Sequence, residues 1–191
     1  METTSAAAPA RRSSAPLTIA LGLGVLALGL VFALSSVYTH WYAIFRVVHV
    51  AVAVFWVGGG LTLTVLGLRA ERLDDPVEMA TLARQAAFVG ERLFAPAGLV
   101  VLLMGIGMVV NGNLGWGHFW VIAGLVGYAV TFVTGIGVLS PLAKKIDALL
   151  AEKGADASET QAAIQKILLV ARFDVAVLLL VVADMTTKPF S

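Results

Sequence analysis

The side chains best suited to chemistry lie between residues 46 and 67. At 100° per residue, Arg46, His49, Ala53, Trp56, Gly60, Thr64 and Gly67 fall within about 60° of His49 on one helix face. The stripe runs cation, imidazole, small residue, indole, then three small residues. A neutral imidazole ligates haem iron or copper. An arginine one turn away neutralises a propionate or another anionic group, and glycines let a flat ligand or a neighbouring backbone come close. The stripe therefore admits a haem b, with His49 as axial ligand, Arg46 as partner of an anionic group, and Trp56 and Gly60 against the macrocycle. The plainer reading uses the same residues: an imidazole bonded to a neighbouring helix, an arginine snorkelling to headgroups, and Gly58, Gly59 and Gly60 serving packing alone.

A second set involves sulfur. His40, His49 and His118 all lie toward one side of the expected membrane, with Met108 and Met185 at the same level and Met104 one turn deeper. Imidazoles with thioethers suit Cu(I), which makes His49, His118 and Met108 an alternative metal set, with Met104 nearby. His49 with Met108 or His118 would also give a six-coordinate haem. Against this, Ala123, Gly127, Thr131 and Gly135 form a small-residue stripe that marks a packing face. His118 points away from it and reads as interfacial. Glu91, Arg92, Arg172 and Asp174 gather at the opposite side, where Glu91–Arg172 and Arg92–Asp174 pairs would staple helices rather than form a proton path. Asp184 and Lys188 form an i,i+4 pair of favourable sign. No phosphate loop, H-E-x-x-H, G-x-S-x-G or spaced pair of catalytic carboxylates occurs. The sequence leaves open whether the protein is an enzyme.

The elements that must position these residues follow from composition. The 191 residues are 59% hydrophobic and 13% charged, without cysteine, and the mean hydropathy is +0.92. An ordinary soluble domain is about 45–50% apolar and about a quarter charged. This composition excludes a disordered chain, a nucleic-acid-binding surface and a cytosolic enzyme; the lack of cysteine excludes disulfides and thiolate sites. The hydropathy implies an all-α polytopic transmembrane helix bundle. Spans of about 20 apolar residues are expected at 17–36, 41–68, 93–110, 118–139 and 167–184: four core helices plus one N-terminal helix. Residues 1–16 read as a disordered tail, 17–36 as an N-terminal transmembrane helix with signal-anchor features (retained rather than cleaved), and 41–189 as a four-helix transmembrane domain.

Ten of the thirteen Lys and Arg residues fall on one side of these spans. The positive-inside rule then puts the N-terminus inside and the C-terminus outside, in a bacterial cytoplasmic membrane. Tyr38, Trp41 and Tyr42 at one outer turn, and Trp116, Phe119 and Trp120 at the other, fit interfacial belts. Asp75-Pro76-Val77-Glu78 and Ser158-Glu159-Thr160-Gln161 read as helix starts, and Gly154 as a helix stop.

The run from Arg46 through His49 and Trp56 to Gly58-Gly59 carries His-x6-Trp-x-Gly. It resembles a helix of the CopD-type copper-resistance membrane proteins and of the HemJ-type protoporphyrinogen oxidases, in which the histidine is associated with metal or haem b. HemJ-type proteins also open a later helix with Trp-x-His-x-Lys; Trp116 and His118 fit that pattern, whereas Trp120 stands at the lysine position. The stretch from Trp41 to Pro189, ending Asp184-Met185-Thr-Thr-Lys188-Pro189, looks most like a bacterial family of predicted integral-membrane proteins of unknown function. Three functions are therefore carried forward: a haem-b-binding or redox-linked protein, a copper-handling protein, and an accessory subunit without cofactor. The expected partners are the lipid bilayer, other membrane subunits or a second copy of the chain, and no nucleic acid.

Overall fold

The computed structural model describes residues 41–189. The expected tail at 1–16, the expected helix at 17–36 and His40 lie outside the described residues.

Four helical rods make up the described region, and no strand occurs within it. The first is α1, Trp41–Leu73. The second joins α2, Pro76–Val89, to α3, Ala95–Asn111, through a π-helical turn at Gly90–Phe94. The third joins α4, Phe119–Thr134, to α5, Ser140–Lys153, through a π-helical turn at Gly135–Leu139. The fourth is α6, Ser158–Thr187. At 33 residues, α1 is about 50 Å long, well beyond a hydrocarbon core of about 30 Å. The first three rods are each long and apolar enough to cross a membrane. The fourth is long enough, but its apolar part carries Arg172, Asp174 and Asp184.

Local chemistry sets the breaks between rods. Asp75 caps α2, its Oδ1 accepting from the backbone N–H of Val77 at 2.9 Å and of Glu78 at 3.2 Å, with Pro76 in the first turn. Gly154 ends α5 with φ +82°, a conformation that disfavours any side chain. The expected Ser158 cap is not made. Ala157 occupies the N-cap, and the turn is held instead by Lys153 on Glu159 at 2.5 Å and by Gln161 Nε2 donating to Ala155 O at 2.7 Å.

Packing differs along the rods. The most buried cluster joins Ala70, Met79, Ala83, Ile146, Leu149 and Ile164 where the end of α1, α2, α5 and the first turns of α6 meet. A smaller cluster of Val109, Trp120 and Val121 lies at the opposite end. Between them large apolar side chains such as Val54, Val65, Leu103 and Val133 face outward. That is the pattern of a bundle in lipid, where the hydrophobic effect drives burial only at the wet ends.

Two seams hold the middle together. Tyr42, His49 and Trp56, spaced by seven, meet Gly112, Gly105 and Gly98, also spaced by seven, on antiparallel α3. A methyl on Gly98 would stand 3.1 Å from the Trp56 ring, and one on Gly105 3.1 Å from His49 Cε1. Phe45 fills a further notch at Gly107. Rings set into glycine notches at a heptad interval keep α1 and α3 in register. The second seam is the close α4–α6 pair, in which Met185 lies over Gly124 and Val181 over Gly127. Thr131 continues that face and is buried, so the small-residue stripe on α4 does face a neighbour.

Candidate functional site

Proline positions the unusual backbone. Pro96 and Pro141 lie inside continuous rods, where a proline lacks the N–H of the helical ladder and crowds the carbonyl four residues earlier. In each rod the strain is taken up one turn before. The N–H of Ala95 donates to the carbonyl of Gly90, and that of Ser140 to the carbonyl of Gly135. These i→i+5 bonds widen the helix locally. Both segments read Gly-x4-small-Pro, as Gly90-Glu-Arg-Leu-Phe-Ala95-Pro96 and Gly135-Ile-Gly-Val-Leu-Ser140-Pro141.

The two π turns line one cavity of about 380 Å³ inside the bundle. Trp56, Gly60 and Thr64 form its α1 wall, Thr131 its α4 wall, and Asp174, Val175 and Leu178 its α6 wall. A side chain added at Gly90 or Gly135 would meet nothing within 4 Å, so both glycines leave open volume. Most of the surface is apolar carbon, and the polar groups are few. Ser140 Oγ donates to Glu91 Oε1 at 2.9 Å, which links the two π turns. The Thr64 hydroxyl donates to Gly60 O and the Thr131 hydroxyl to Tyr128 O, each at 2.9 Å. Arg172 pairs with Glu71 at 2.5 Å. Asp174 Oδ1 is shut off from solvent and has no hydrogen-bond partner among the described residues.

This arrangement corrects the charge pairs read from the sequence. Arg172 goes to Glu71 because α1 continues to Leu73 and carries Glu71 alongside α6. Glu91 goes to Ser140 because the first π turn directs it toward the second. Asp174 is left without Arg92, which is exposed. Lys188 does not pair with Asp184 either: it is in the left-handed conformation, and its ammonium lies 4.8 Å from the centre of the Trp120 ring.

The residues singled out in the sequence separate into two groups. Trp56 and Gly60 line the cavity, together with Thr64 of the same stripe. His49 does not. It sits two helical turns from Trp56, in the Gly105 notch, and its Nδ1 is 2.8 Å from the carbonyl of Val101. In the neutral ring this is an N–H donor, which leaves Nε2 as the acceptor. Arg46 is exposed and lies over the Tyr42 ring at 5.8 Å. His118 is exposed and stacks on Trp120, and Met108 is half-buried on α3. Among the described residues no three His, Cys, Asp or Glu side chains are gathered as a metal site. The cavity thus runs along Trp56 and Gly60 without reaching His49.

Ser140 and the two π turns were missed, and Glu91 and Asp174 were grouped as members of charge pairs rather than as parts of a cavity wall. The signal was present in the twice-written Gly-x4-small-Pro, which places a proline one turn beyond a glycine inside an apolar run. The heptad match of Tyr42, His49 and Trp56 to Gly112, Gly105 and Gly98 was equally open to reading, and it gives the His-x6-Trp spacing a packing role.

A family model described as a predicted integral membrane protein family, DUF2269, matches residues 43–189. No curated protein matches the chain, and no solved structure does.

Proposed function

The chain belongs to the DUF2269 family of predicted integral membrane proteins, and from that premise we propose that it is a multi-pass protein of a bacterial cytoplasmic membrane whose bundle holds a small molecule drawn from the bilayer. In this reading the basic α2/α5 end is cytoplasmic, α6 is the last of the crossing helices, and the C-terminus lies outside. The observation that carries the reading is the cavity between the π turns. Its volume is within the range of about 300–1,000 Å³ of small-molecule sites, and it joins apolar walls to a few convergent polar groups. Irregular backbone inside a membrane bundle is tolerated where it is buried or lines a cavity, and π turns recur at functional sites. The rim residues Phe132 and Ile136 are exposed, which gives a ligand a lateral way in from lipid.

The test is recovery of a bound molecule. Protein purified in mild detergent should yield one compound at near-stoichiometric amount, and a Gly135→Leu variant, which fills the cavity, should lose it. Identical extracts from both proteins would refute the reading.

One observation favours a second reading, haem b or copper at His49. The Val101 carbonyl orients the imidazole through Nδ1 and leaves Nε2 for a metal, as outer-shell partners do in metal sites. A Soret band, or bound copper, that disappears in His49→Ala would support it. If His49→Ala instead changes only the recovery of a larger complex, the histidine belongs to an accessory subunit that docks helices.

A further inference from the structure

We propose that the cavity selects a cationic amphiphile: an apolar molecule with one ammonium-type head seated between Asp174 and Glu91. This rests on the reading of the cavity as a ligand site and adds the chemical class of the ligand.

The selection follows from which wall groups are already engaged. The three wall hydroxyls, Thr64, Thr131 and Ser140, each donate their proton to an oxygen of the protein. Among the described residues the wall has one base, Arg172, and the Glu71 carboxylate of α1 neutralises it at 2.5 Å. Two acids remain. Glu91, from the first π turn, has one oxygen on Ser140. Asp174, from α6, has Oδ1 shut off from solvent with nothing donating to it among the described residues; Arg172 Nη2 is likewise shut off and lacks a well-aligned acceptor, though its charge is met by Glu71. The stretch of α5 that borders the cavity, Ser140 and Ala143, adds no charge. Among the described residues the wall therefore carries two acids against one base already matched by Glu71, a surplus of negative charge. Asp174 is half-buried and Glu91 exposed, and acids beside an apolar cavity favour a cation or a donor brought to them. An ammonium supplies one unit of charge and up to three N–H donors, and its chain covers the apolar wall formed by Trp56, Phe94, Val175 and Leu178. A fatty carboxylate would place a third acid beside the first two. A neutral alcohol would bring one donor and leave the charge uncompensated.

Native mass spectrometry of the purified protein with dodecylamine, dodecanol and dodecanoate tests the class. The expected order is amine first, alcohol well behind, carboxylate last. Asp174→Asn should weaken amine binding about ten- to a hundredfold, the range of hydrogen bonds to charged groups, and leave alcohol binding unchanged, which also reports an intact cavity. Glu91→Gln should weaken the amine in the same direction. Equal binding of amine and alcohol, carboxylate bound best, or amine binding indifferent to both substitutions would overturn the cationic class while leaving a ligand cavity. Failure of all three probes to bind saturably would overturn the cavity reading as well.

Discussion

Gly105→Ala tests the packing of α1 on α3 at its most informative point. A Cβ there would stand 3.1 Å from His49 Cε1 and 3.3 Å from Nδ1, inside the optimum of about 3.5–4.0 Å for carbon contacts. The ring must retreat by a few tenths of an ångström, on the same edge that donates to Val101 at 2.8 Å. Overpacking costs about 1–3 kcal/mol, and a weakened hydrogen bond adds up to about 1 kcal/mol. Removing a helical glycine offsets about 1 kcal/mol. The net expectation is a loss of up to about 3 kcal/mol. Gly58→Ala is the matched control: nothing lies within 4 Å of the new methyl, so it should gain up to about 1 kcal/mol. Reversible unfolding in mixed micelles, followed by far-UV circular dichroism, measures both. The decisive arm is the double-mutant cycle. With His49→Ala in place the clash is gone, so Gly105→Ala should no longer destabilise, giving a coupling of about 1–2 kcal/mol. Additive effects, or a Gly105→Ala protein as stable as Gly58→Ala, would refute the ring-in-notch seam.

Three further outcomes are expected. Asp75→Ala removes the acceptor for two backbone donors at the start of α2 and should cost about 1 kcal/mol in the same unfolding assay. Glu71→Gln leaves Arg172 without its counter-charge; both side chains are largely covered, so the loss should lie between the surface and buried limits, about 1–3 kcal/mol, and Arg172→Gln added to it should recover part of that. Lys153 beside Glu159 holds the Glu159 carboxyl below its ordinary range, first through their hydrogen bond and then through charge. A depressed folded value stabilises above the unfolded pKa and is lost as pH falls through the folded one. Acid titration of stability should therefore show a small loss below the ordinary carboxylate range that Glu159→Gln removes.

What could be read from the sequence was what depends on near neighbours in the chain. The apolar runs marked the rods, and Asp75 and Gly154 marked two of their ends, because hydropathy and cap chemistry are local. The exposed placement of His118 and the packing face around Gly127 and Thr131 followed from the 100° step. Partner choice among charges was not local. Glu91 and Arg172 lie close to the same cavity, yet which acid meets the arginine depends on how far α1 runs past the membrane and on the extra residue in each π turn. His49 attracted a metal reading because an imidazole in an apolar helix is a functional candidate by default. The notch that receives it is written fifty-six residues later, at Gly105, and only the antiparallel register brings the two together.

The central claim is that the space between the π turns is a binding site, and Trp56 is its built-in reporter. With 5-fluorotryptophan incorporated, the Trp56 resonance is identified by its loss in Trp56→Phe and followed during titration with dodecylamine. That resonance should shift saturably while those of Trp116 and Trp120, outside the cavity, stay in place, and the shift should vanish in Gly135→Leu. A Trp56 signal that never moves, or one that moves only in step with the other tryptophans, would contradict it.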